Sequence, residues 1–403
     1  MKHQRRSRKH RLLTLAAAAS AVGLLLATTT AWSDDDGDGG GGGGGSRSSY
    51  VVFGYNDLGM HCMSDDFSEV VVLPPFNNLR AQVIRRGGEP DIISSGVTVK
   101  YSVPSNTHSA DKTNFWKYAQ QLFGVTLPPD VGLTGHTLRG TMSPTPDHQW
   151  EVTGVPMVPI DDDGRLNPYP LAMIRVIQNG TEIARTQTVI PVSQELSCNL
   201  CHGGSGVSTG TDILRAHDQL HGTNLEQQKP VLCASCHADP ALGTSGSPGL
   251  PTLSSAIHTA HAPRMGQSGL SNVCYACHPG IRTQCQRDVH LANGIQCSNC
   301  HGDMYAVGNP ARQPWTDLPR CGNCHSRPGF DFEEPGKLFK DSRGHGGVHC
   351  AACHGSPHAI TPTLTATDNV QAIRLQGHAG IINDCLVCHT SQPGESFFHS
   401  RDD

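Results

Sequence analysis

The sequence predicts two regions of different fold class: an all-β, sandwich-like domain with one helix over residues 50–196, then a loop-rich region with short helices over residues 197–403. The first region holds short β-branched or aromatic runs separated by turn residues, which is the pattern of strands. The second region is rich in Pro, Gly and Ser and lacks regular periodicity, and it holds fifteen of the sixteen cysteines. The boundary is therefore placed where the strand pattern ends and the closely spaced cysteines begin.

Six segments of the first region are predicted as strands, namely 50–55, 69–73, 81–85, 96–103, 173–178 and 181–190. The last two flank Asn179 and Gly180, a dipeptide that favours a type I′ hairpin turn. The acidic run 161–164 lies between strands and is predicted as a turn rather than a metal site. Roughly 145 residues of this character suit one domain.

One helix is predicted in the first region, over residues 112–123. Its apolar residues Phe115, Ala119 and Leu122 fall on one face. Asp111 is expected to cap its start and Gly124 to end it.

Seven Cys-x-x-Cys-His motifs dominate the second region and account for fourteen of the sixteen cysteines. We number them 1 to 7 along the chain. Their cysteine pairs are Cys198 and Cys201, Cys233 and Cys236, Cys274 and Cys277, Cys297 and Cys300, Cys321 and Cys324, Cys350 and Cys353, and Cys385 and Cys388. The histidines that follow these pairs are His202, His237, His278, His301, His325, His354 and His389.

This motif is the attachment signal for c-type haem, in which two thioether bonds hold the porphyrin and the histidine is the proximal iron ligand. Structural zinc is the alternative for paired cysteines, but zinc does not require histidine at that one position in every motif. The sequence therefore predicts seven covalently attached haem c groups. With so few large apolar side chains in the second region, the porphyrins are expected to supply the missing core volume.

The first residues predict export from the cytoplasm. A cationic stretch from Lys2 to Arg11 precedes an apolar run and then small residues, so residues 1–33 are predicted as a cleaved secretory signal peptide. An uncleaved N-terminal anchor is the alternative, because the apolar run is near the lower limit for spanning a bilayer. Residues 34–49, rich in Asp and Gly, are predicted as a flexible linker.

Net charge argues against a nucleic-acid partner. The whole chain carries a formal charge of −5, and loss of residues 1–33 removes six basic side chains and no acidic one, leaving −11. An acidic protein repels a phosphate backbone. Export also fits haem attachment outside the cytoplasm and allows the two remaining cysteines to form a disulfide.

Each iron needs a sixth ligand or keeps an open position, and this choice separates electron transfer from catalysis. Ten histidines of the second region lie outside the motifs. The predicted distal ligands are His217, His258, His261, His290, His345, His358 and His378. His221 shares a predicted helix face with His217, while His349 and His399 are held as reserves. Met265 and Met304 are further candidates, although packing is the simpler role for both.

Cys62 and Cys285 remain outside the motifs, one in each region. Three readings stay open for them. They could form a disulfide that pins the β-rich domain to the second region. Alternatively, His61 or Cys62 could reach a haem as an axial ligand, or both thiols could be free and buried.

From about residue 50 to 403 the chain resembles exported multihaem c-type cytochromes of anaerobically respiring and metal-reducing bacteria. The resemblance rests on the seven motifs and, more loosely, on the stretches 56–64 and 344–359. It implies electron transfer in the periplasm or at the cell surface. The partners it implies are other cytochromes, a membrane quinol-oxidising complex or an extracellular acceptor.

Three functions follow from these features. The first is an electron carrier that relays electrons through seven closely packed, mostly bis-histidine haems, with no catalytic residue. The second is a multihaem oxidoreductase that acts on a small nitrogen or sulfur compound at one open haem. The third is an assembly module whose β-rich domain docks on neighbouring copies or on an outer-membrane partner. It is compatible with the first.

Overall fold

The computed structural model describes residues 48–204, 206–328, 330, 332–394 and 399. The predicted signal peptide and nearly all of the predicted linker lie outside these residues. Contacts group Arg47–Asp403 into one compact unit. The predicted boundary near residue 197 is therefore crossed by packing between the two regions.

Thirteen strands form in the part of the chain that the structure describes. They are β1 Tyr50–Tyr55, β2 His61–Cys62, β3 Val70–Val71, β4 Leu79–Arg85, β5 Asp91–Ile93, β6 Thr98–Ser102, β7 Arg139–Thr141, β8 Ser143–Pro144, β9 Trp150–Val152, β10 Leu171–Gln178, β11 Thr181–Val189, β12 Val192–Ser193 and β13 Val231–Leu232. Each of the six predicted strands has a counterpart among them, with bounds that differ by up to two residues.

Two antiparallel sheets organise the first region. In one, β1, β4, β9 and β8 follow one another and β5 pairs with β4; in the other, the order is β11, β10, β6 and β7. The sheets approach closely at Gly54, where an added Cβ would lie 2.6 Å from the Cδ1 of Ile174. Only a residue without a side chain permits this contact. Between the sheets, Val52, Val83 and Trp150 are buried in one apolar core.

The predicted hairpin and acidic turn are both confirmed. Asn179 and Gly180 join β10 to β11 with positive φ angles of 51° and 83°, as a type I′ turn requires. In the acidic turn, the N–H of Gly164 donates to the carbonyl of Asp161 at 3.0 Å. Asp162 pairs with Lys112 at 2.7 Å.

The predicted helix start was wrong by three residues. Helix α1 spans Phe115–Phe123, with Asn114 at its N-cap position and Gly124 at its end. Asn114 does not cap the helix through its side chain; its Oδ1 accepts from the N–H of Phe67 at 2.9 Å. Asp111 contacts the ring of His108 instead. Tertiary contacts of the residues before Phe115 thus replace the predicted first turn.

The second region consists of short helices joined by loops. The α-helices are α2 Thr209–His221, α3 Leu253–His261, α4 Val289–Ala292, α5 Cys297–His301, α6 Met304–Gly308, α7 Cys350–His354 and α8 Val370–Gln376. Single 3₁₀ turns form at the remaining motifs, among them Cys233–Ser235 and Cys385–Val387. Helix α2 begins at a capping serine, since the side chain of Ser208 accepts from the N–H of Thr211.

A second apolar core joins the two regions. Val51, Phe53 and Tyr55 of β1 pack with Ala351 and Ala352 of α7. These residues are all nearly inaccessible to solvent. The outer face of the first sheet is therefore covered by the second region. None of the described helices is long and apolar enough to cross a membrane.

Backbone pairing also crosses the boundary. β13 of the second region runs parallel to β3 of the first, while β12 pairs in parallel with β2 within the first region. The carboxylate of Glu69, just before β3, accepts from Ser208, Thr211 and Lys229. This cluster fixes the start of α2 against the first region.

Candidate haem sites

Each motif folds into a single helical turn that places its three functional side chains together. In motif 1, the N–H of His202 donates to the carbonyl of Cys198 at 2.9 Å. Motifs 2, 3, 5 and 7 repeat this bond, and motifs 4 and 6 are the helices α5 and α7. Residues three apart share a helix face, so both sulfur atoms point the same way. These Sγ atoms stand for the thioether sulfurs of the haem-loaded protein.

Seven histidine pairs are the main finding of the structure. Every motif histidine lies opposite one histidine from outside the motifs, and no partner is used twice. We call each motif with its opposing histidine a site, numbered as the motif. Ring centroids are 6.2 Å apart for His202 and His261, 6.5 Å for His237 and His217, 6.1 Å for His278 and His258, 5.9 Å for His301 and His358, 6.1 Å for His325 and His290, 5.9 Å for His354 and His399, and 6.1 Å for His389 and His345.

This separation fits one metal ion between the two rings. A metal–imidazole bond of about 2 Å on each side places the ring centroids about 6 Å apart. The residues present therefore fit iron that takes two axial ligands from the chain and four from a porphyrin. Within the described residues, no group of three or more His, Cys, Asp or Glu side chains is placed to hold a metal ion by itself.

Several paired rings are oriented through Nδ1, which leaves Nε2 for the iron. The Nδ1 atoms of His258 and His261 each lie 2.7 Å from a carbonyl oxygen one turn earlier on α3. In motif 2, Nδ1 of His237 lies 2.9 Å from the carbonyl of Pro251. At site 7 the first region takes part, because Nδ1 of His389 lies 2.8 Å from the carbonyl of Gly88. Such bonds fix the tautomer and direction of a metal ligand.

Burial keeps several of these rings neutral. It lowers the pKa of His278, His301 and His354 to about 4 in each case. The pKa of His258 is also lowered, again chiefly by burial. The neutral imidazole is the form that ligates a metal. These rings are therefore ready to bind iron at neutral pH.

Site 5 also has space beside its proximal histidine. A cavity of about 350 Å³ is lined by residues that include His325, Arg320 and Phe332. Cavities of a few hundred cubic ångströms are typical of cofactor sites. The lining is mixed, with Phe330 and Phe332 beside the basic Arg320 and Arg327 and the acidic Glu333 and Glu334.

One predicted distal ligand lies elsewhere in the structure. His378 is exposed, and its Nδ1 lies 3.0 Å from the carbonyl of Ala379. It makes no ring contact with a motif histidine among the described residues. His399, a reserve in the sequence prediction, occupies the position opposite His354 instead. His290 and His378 each lie seven residues before the first cysteine of the next motif. Of the two, only His290 lies opposite a motif histidine among the described residues.

Among the described residues, neither His221 nor the reserve His349 makes a ring contact with a motif histidine. His221 lies 4.8 Å from His217 and follows it on α2, but His217 is the ring that faces His237. His349 is 1% exposed and its ring is 6.2 Å from that of Tyr55. Met265 is buried.

Cys62 and Cys285 lie in one neighbourhood beside site 4. Cys62 pairs with Ser193 between β2 and β12, and the hydroxyl of Ser193 lies 3.1 Å from that of Thr283. Burial raises the pKa of the Cys62 thiol, and the nearby Cys285 raises it further. The Sγ of Cys285 is 3.7 Å from Nδ1 of His358. Both thiols are free in this structure, and the disulfide stays a prediction.

His61 is the other residue of the first region that was considered as an axial ligand. Its Nε2 lies 2.7 Å from the carbonyl of Pro74, and its ring is 5.7 Å from that of Phe76. These contacts occupy the ring within its own region. Axial ligation by His61 or Cys62 stays a prediction.

Neighbouring sites share structural elements along the first half of the series. Helix α2 carries His217 of site 2, and its Asp212 lies 3.3 Å from Nδ1 of His202 in site 1. Helix α3 supplies the distal rings of both site 1 and site 3. Sites 3 and 4 meet where the side chain of Asn272 donates to the Sγ of Cys297 at 3.4 Å.

The second half of the series is connected in the same way. His290 of site 5 leads into motif 4 through a tight turn, in which the N–H of Ile295 donates to the carbonyl of His290 at 2.9 Å. Phe332 lies 5.8 Å from His325 of site 5 and 6.2 Å from His399 of site 6. Between sites 6 and 7, the N–H of Ile382 donates to the carbonyl of Cys353 at 3.0 Å. Contacts therefore connect all seven sites.

Comparison with known proteins supports haem chemistry. Residues 304–355 match the family described as Cytochrome c554 and c-prime. The matched stretch contains motifs 5 and 6. No curated protein and no solved structure matched the chain. The match supports a c-type cytochrome that carries haem c and iron and has a haem-based electron-transfer role.

Proposed function

We propose that the chain is a heptahaem c-type cytochrome that relays electrons between redox partners outside the cytoplasm. The observation that carries this proposal is the set of seven histidine pairs, each with ring centroids 5.9–6.5 Å apart. A pair of this kind leaves no axial position of the iron for a substrate. An electron carrier needs no such position, whereas an enzyme needs at least one.

At each site, different residues would attach the haem and ligate its iron. The two cysteines of a motif would hold the porphyrin edge, the motif histidine would bind one face of the iron, and the opposing histidine would bind the other. Haem c bound in this way supplies an iron that gains and loses one electron with little change in its ligands. The chain keeps both rings in place and excludes other ligands from the iron.

The contacts between sites support a relay rather than seven independent centres. Each site shares a helix, a hydrogen bond or an aromatic ring with another. In space the series follows chain order, except that site 1 lies between sites 2 and 3. Sites 2 and 7 are then the two ends, and both touch the first region: β13 precedes motif 2 and pairs with β3, and Gly88 holds His389. We propose these ends as the places where partners exchange electrons.

The location and partners are part of the same proposal. The N-terminal pattern supports export, to the periplasm or the cell surface. The acidic mature chain suits other cytochromes, a membrane quinol-oxidising complex or an extracellular acceptor better than nucleic acid. Exposed apolar side chains such as Leu166 and Leu220, 60% and 63% exposed, are available for contact with a partner or a second copy.

Mass spectrometry followed by voltammetry of the purified full-length mature protein tests the proposal. We expect seven haem groups per chain and reversible electron transfer that is unchanged by nitrite, hydroxylamine or sulfite. A catalytic current with any of these compounds would instead favour the oxidoreductase, with one iron open to substrate. Fewer than seven haems would contradict the heptahaem assignment.

A further inference from the structure

The seven sites differ in what holds the outer nitrogen of the ligating rings. Most of the Nδ1 contacts described above are to neutral carbonyl oxygens. At site 5, by contrast, Nδ1 of His290 lies 3.2 Å from Oδ2 of Asp288. A carboxylate is the stronger partner because it carries a full negative charge.

The position of Asp288 is fixed independently of the ring. Asp288 is the N-cap of α4, and its Oδ1 accepts from the N–H of Leu291 at 3.0 Å. With one oxygen held by the helix, the other is directed at the ring two residues later. The side chain is only 6% exposed, against 38% for His290. The carboxylate is therefore built into the fold rather than placed on the surface.

A second carboxylate provides an internal comparison. Asp212 lies 3.3 Å from Nδ1 of His202 in site 1, but its side chain is 37% exposed. Its Oδ2 also accepts from the N–H of Gly203 at 3.0 Å. Solvent and the shared hydrogen bond both weaken its effect on the ring.

A carboxylate on the outer nitrogen makes an imidazole a more basic ligand. A more basic ligand favours ferric over ferrous iron, because the ferric ion carries the larger charge. The reduction potential of the site then falls. The fall is larger where the carboxylate is buried, since a low local dielectric strengthens the interaction.

We propose that Asp288 is a positioning residue that fixes the His290 ring and lowers the reduction potential of site 5 relative to that site with a neutral partner. This inference rests on the proposed function, because it requires His290 to be an iron ligand. It assigns Asp212 the same role at site 1, with a smaller effect. The chain thus sets different potentials along a series of similarly ligated sites.

The test is the substitution Asp288→Asn in the full haem-loaded protein. Asparagine keeps the size of the side chain and can still cap α4 through Oδ1, but it removes the charge. We expect the potential of site 5 to rise most in a spectroscopic redox titration, and the low-spin electron paramagnetic resonance signal of that site to shift. The potential of site 4 should rise by less, because the Asp288 charge also acts on Cys300 and His358 of that site. Asp288→Glu, which retains the charge, should restore the low potential. Asp212→Asn should raise a different potential by less.

Matched variants assign the change to site 5. Asp303→Asn is the control, because Asp303 caps α6 in the same manner, accepting from the N–H of Ala306 at 2.8 Å. Within the part of the chain that the structure describes, Asp303 makes no hydrogen bond to a paired ring. It should leave all seven potentials unchanged. His290→Met replaces the ligand itself and should move the same potential that moves in Asp288→Asn. Asp288→Ser is a second neutral cap in case the asparagine variant fails to fold.

Two results would overturn the inference. One is seven unchanged potentials in a folded neutral variant, and the other is an equal rise in the Asp303→Asn control. Failure of the proposed function would be distinguishable, because it would show in the unmodified protein as missing haems or an open iron. If the unmodified protein holds seven haems and only low-spin irons, unchanged potentials in the Asp288→Asn variant would overturn the role of Asp288 and leave the proposed function standing.

Discussion

A histidine can serve as a haem ligand only if its ring is held where the iron will be. The described contacts hold many of these rings at Nδ1, by a carbonyl, hydroxyl, thiol or carboxylate group. His217 illustrates the hydroxyl case, with Nδ1 2.9 Å from the Oγ1 of Thr223. Ring position is therefore fixed by local backbone and side-chain contacts as well as by the motif itself.

The choice between His399 and His378 is the sharpest prediction at this scale. His399→Ala should remove the sixth ligand of site 6 and convert one iron to the high-spin form, because His399 is the ring opposite His354. His378→Ala is the matched control and should leave every iron low-spin, since His378 is exposed. Absorption and electron paramagnetic resonance spectra of the oxidised variants provide the measurement. A high-spin iron in His378→Ala but not in His399→Ala would reverse the assignment.

At the scale of elements, short helices rather than a large apolar core hold the motifs of the second region in position. α2 and α3 each contribute residues to two sites, so one rigid element fixes the position of neighbouring motifs relative to each other.

The loop after motif 6 is held by a buried ion pair. There Arg287 is buried and forms a two-bond ion pair with Asp368, at 2.5 and 2.8 Å, while its N–H donates to the carbonyl of His358 at 2.9 Å.

Breaking this ion pair should be costly. Asp368→Ala leaves the Arg287 guanidinium buried without its charge partner, because the side chain of Arg287 is only 1% exposed. We expect a loss of about 3–5 kcal/mol in the free energy of unfolding. Guanidinium chloride unfolding of the haem-loaded protein measures it.

An exposed ion pair provides the control for this experiment. Arg85 and Asp91 form a pair in which the side chains are 55% and 56% exposed. Arg85→Ala should change the free energy of unfolding much less than Asp368→Ala does, because solvent screens the interaction. Similar small losses in both variants would contradict the role assigned to the buried pair.

At the scale of the whole molecule, local patterns in the sequence predicted local structure well. The hairpin at Asn179 follows from turn chemistry. The placing of two histidines on α2 and two on α3 follows from helix periodicity. The helix start near Asp111 did not follow, because Asn114 is drawn into a contact with Phe67 from a distant part of the chain. Six of the seven predicted distal histidines also lie opposite a motif histidine.

What the sequence could not provide is contact between residues far apart in the chain. His358 lies opposite His301 although more than fifty residues separate them in the chain. The spacing of histidines along the sequence does not predict such a pair. Likewise, Gly88 contacts His389 across a separation of 301 residues. Asp288 and His290 form an Asp-x-His sequence, a local pattern that indicates an oriented ligand. This pattern was not recognised from the sequence.

The most direct test of the account is electron paramagnetic resonance of the oxidised full-length mature protein, with and without cyanide. The seven histidine pairs predict that every ferric iron is low-spin and that cyanide changes no signal. His261→Ala shows that the assay detects one open iron, because site 1 then lacks its second ring. A high-spin ferric signal in the unmodified protein, lost when cyanide binds, would contradict the account.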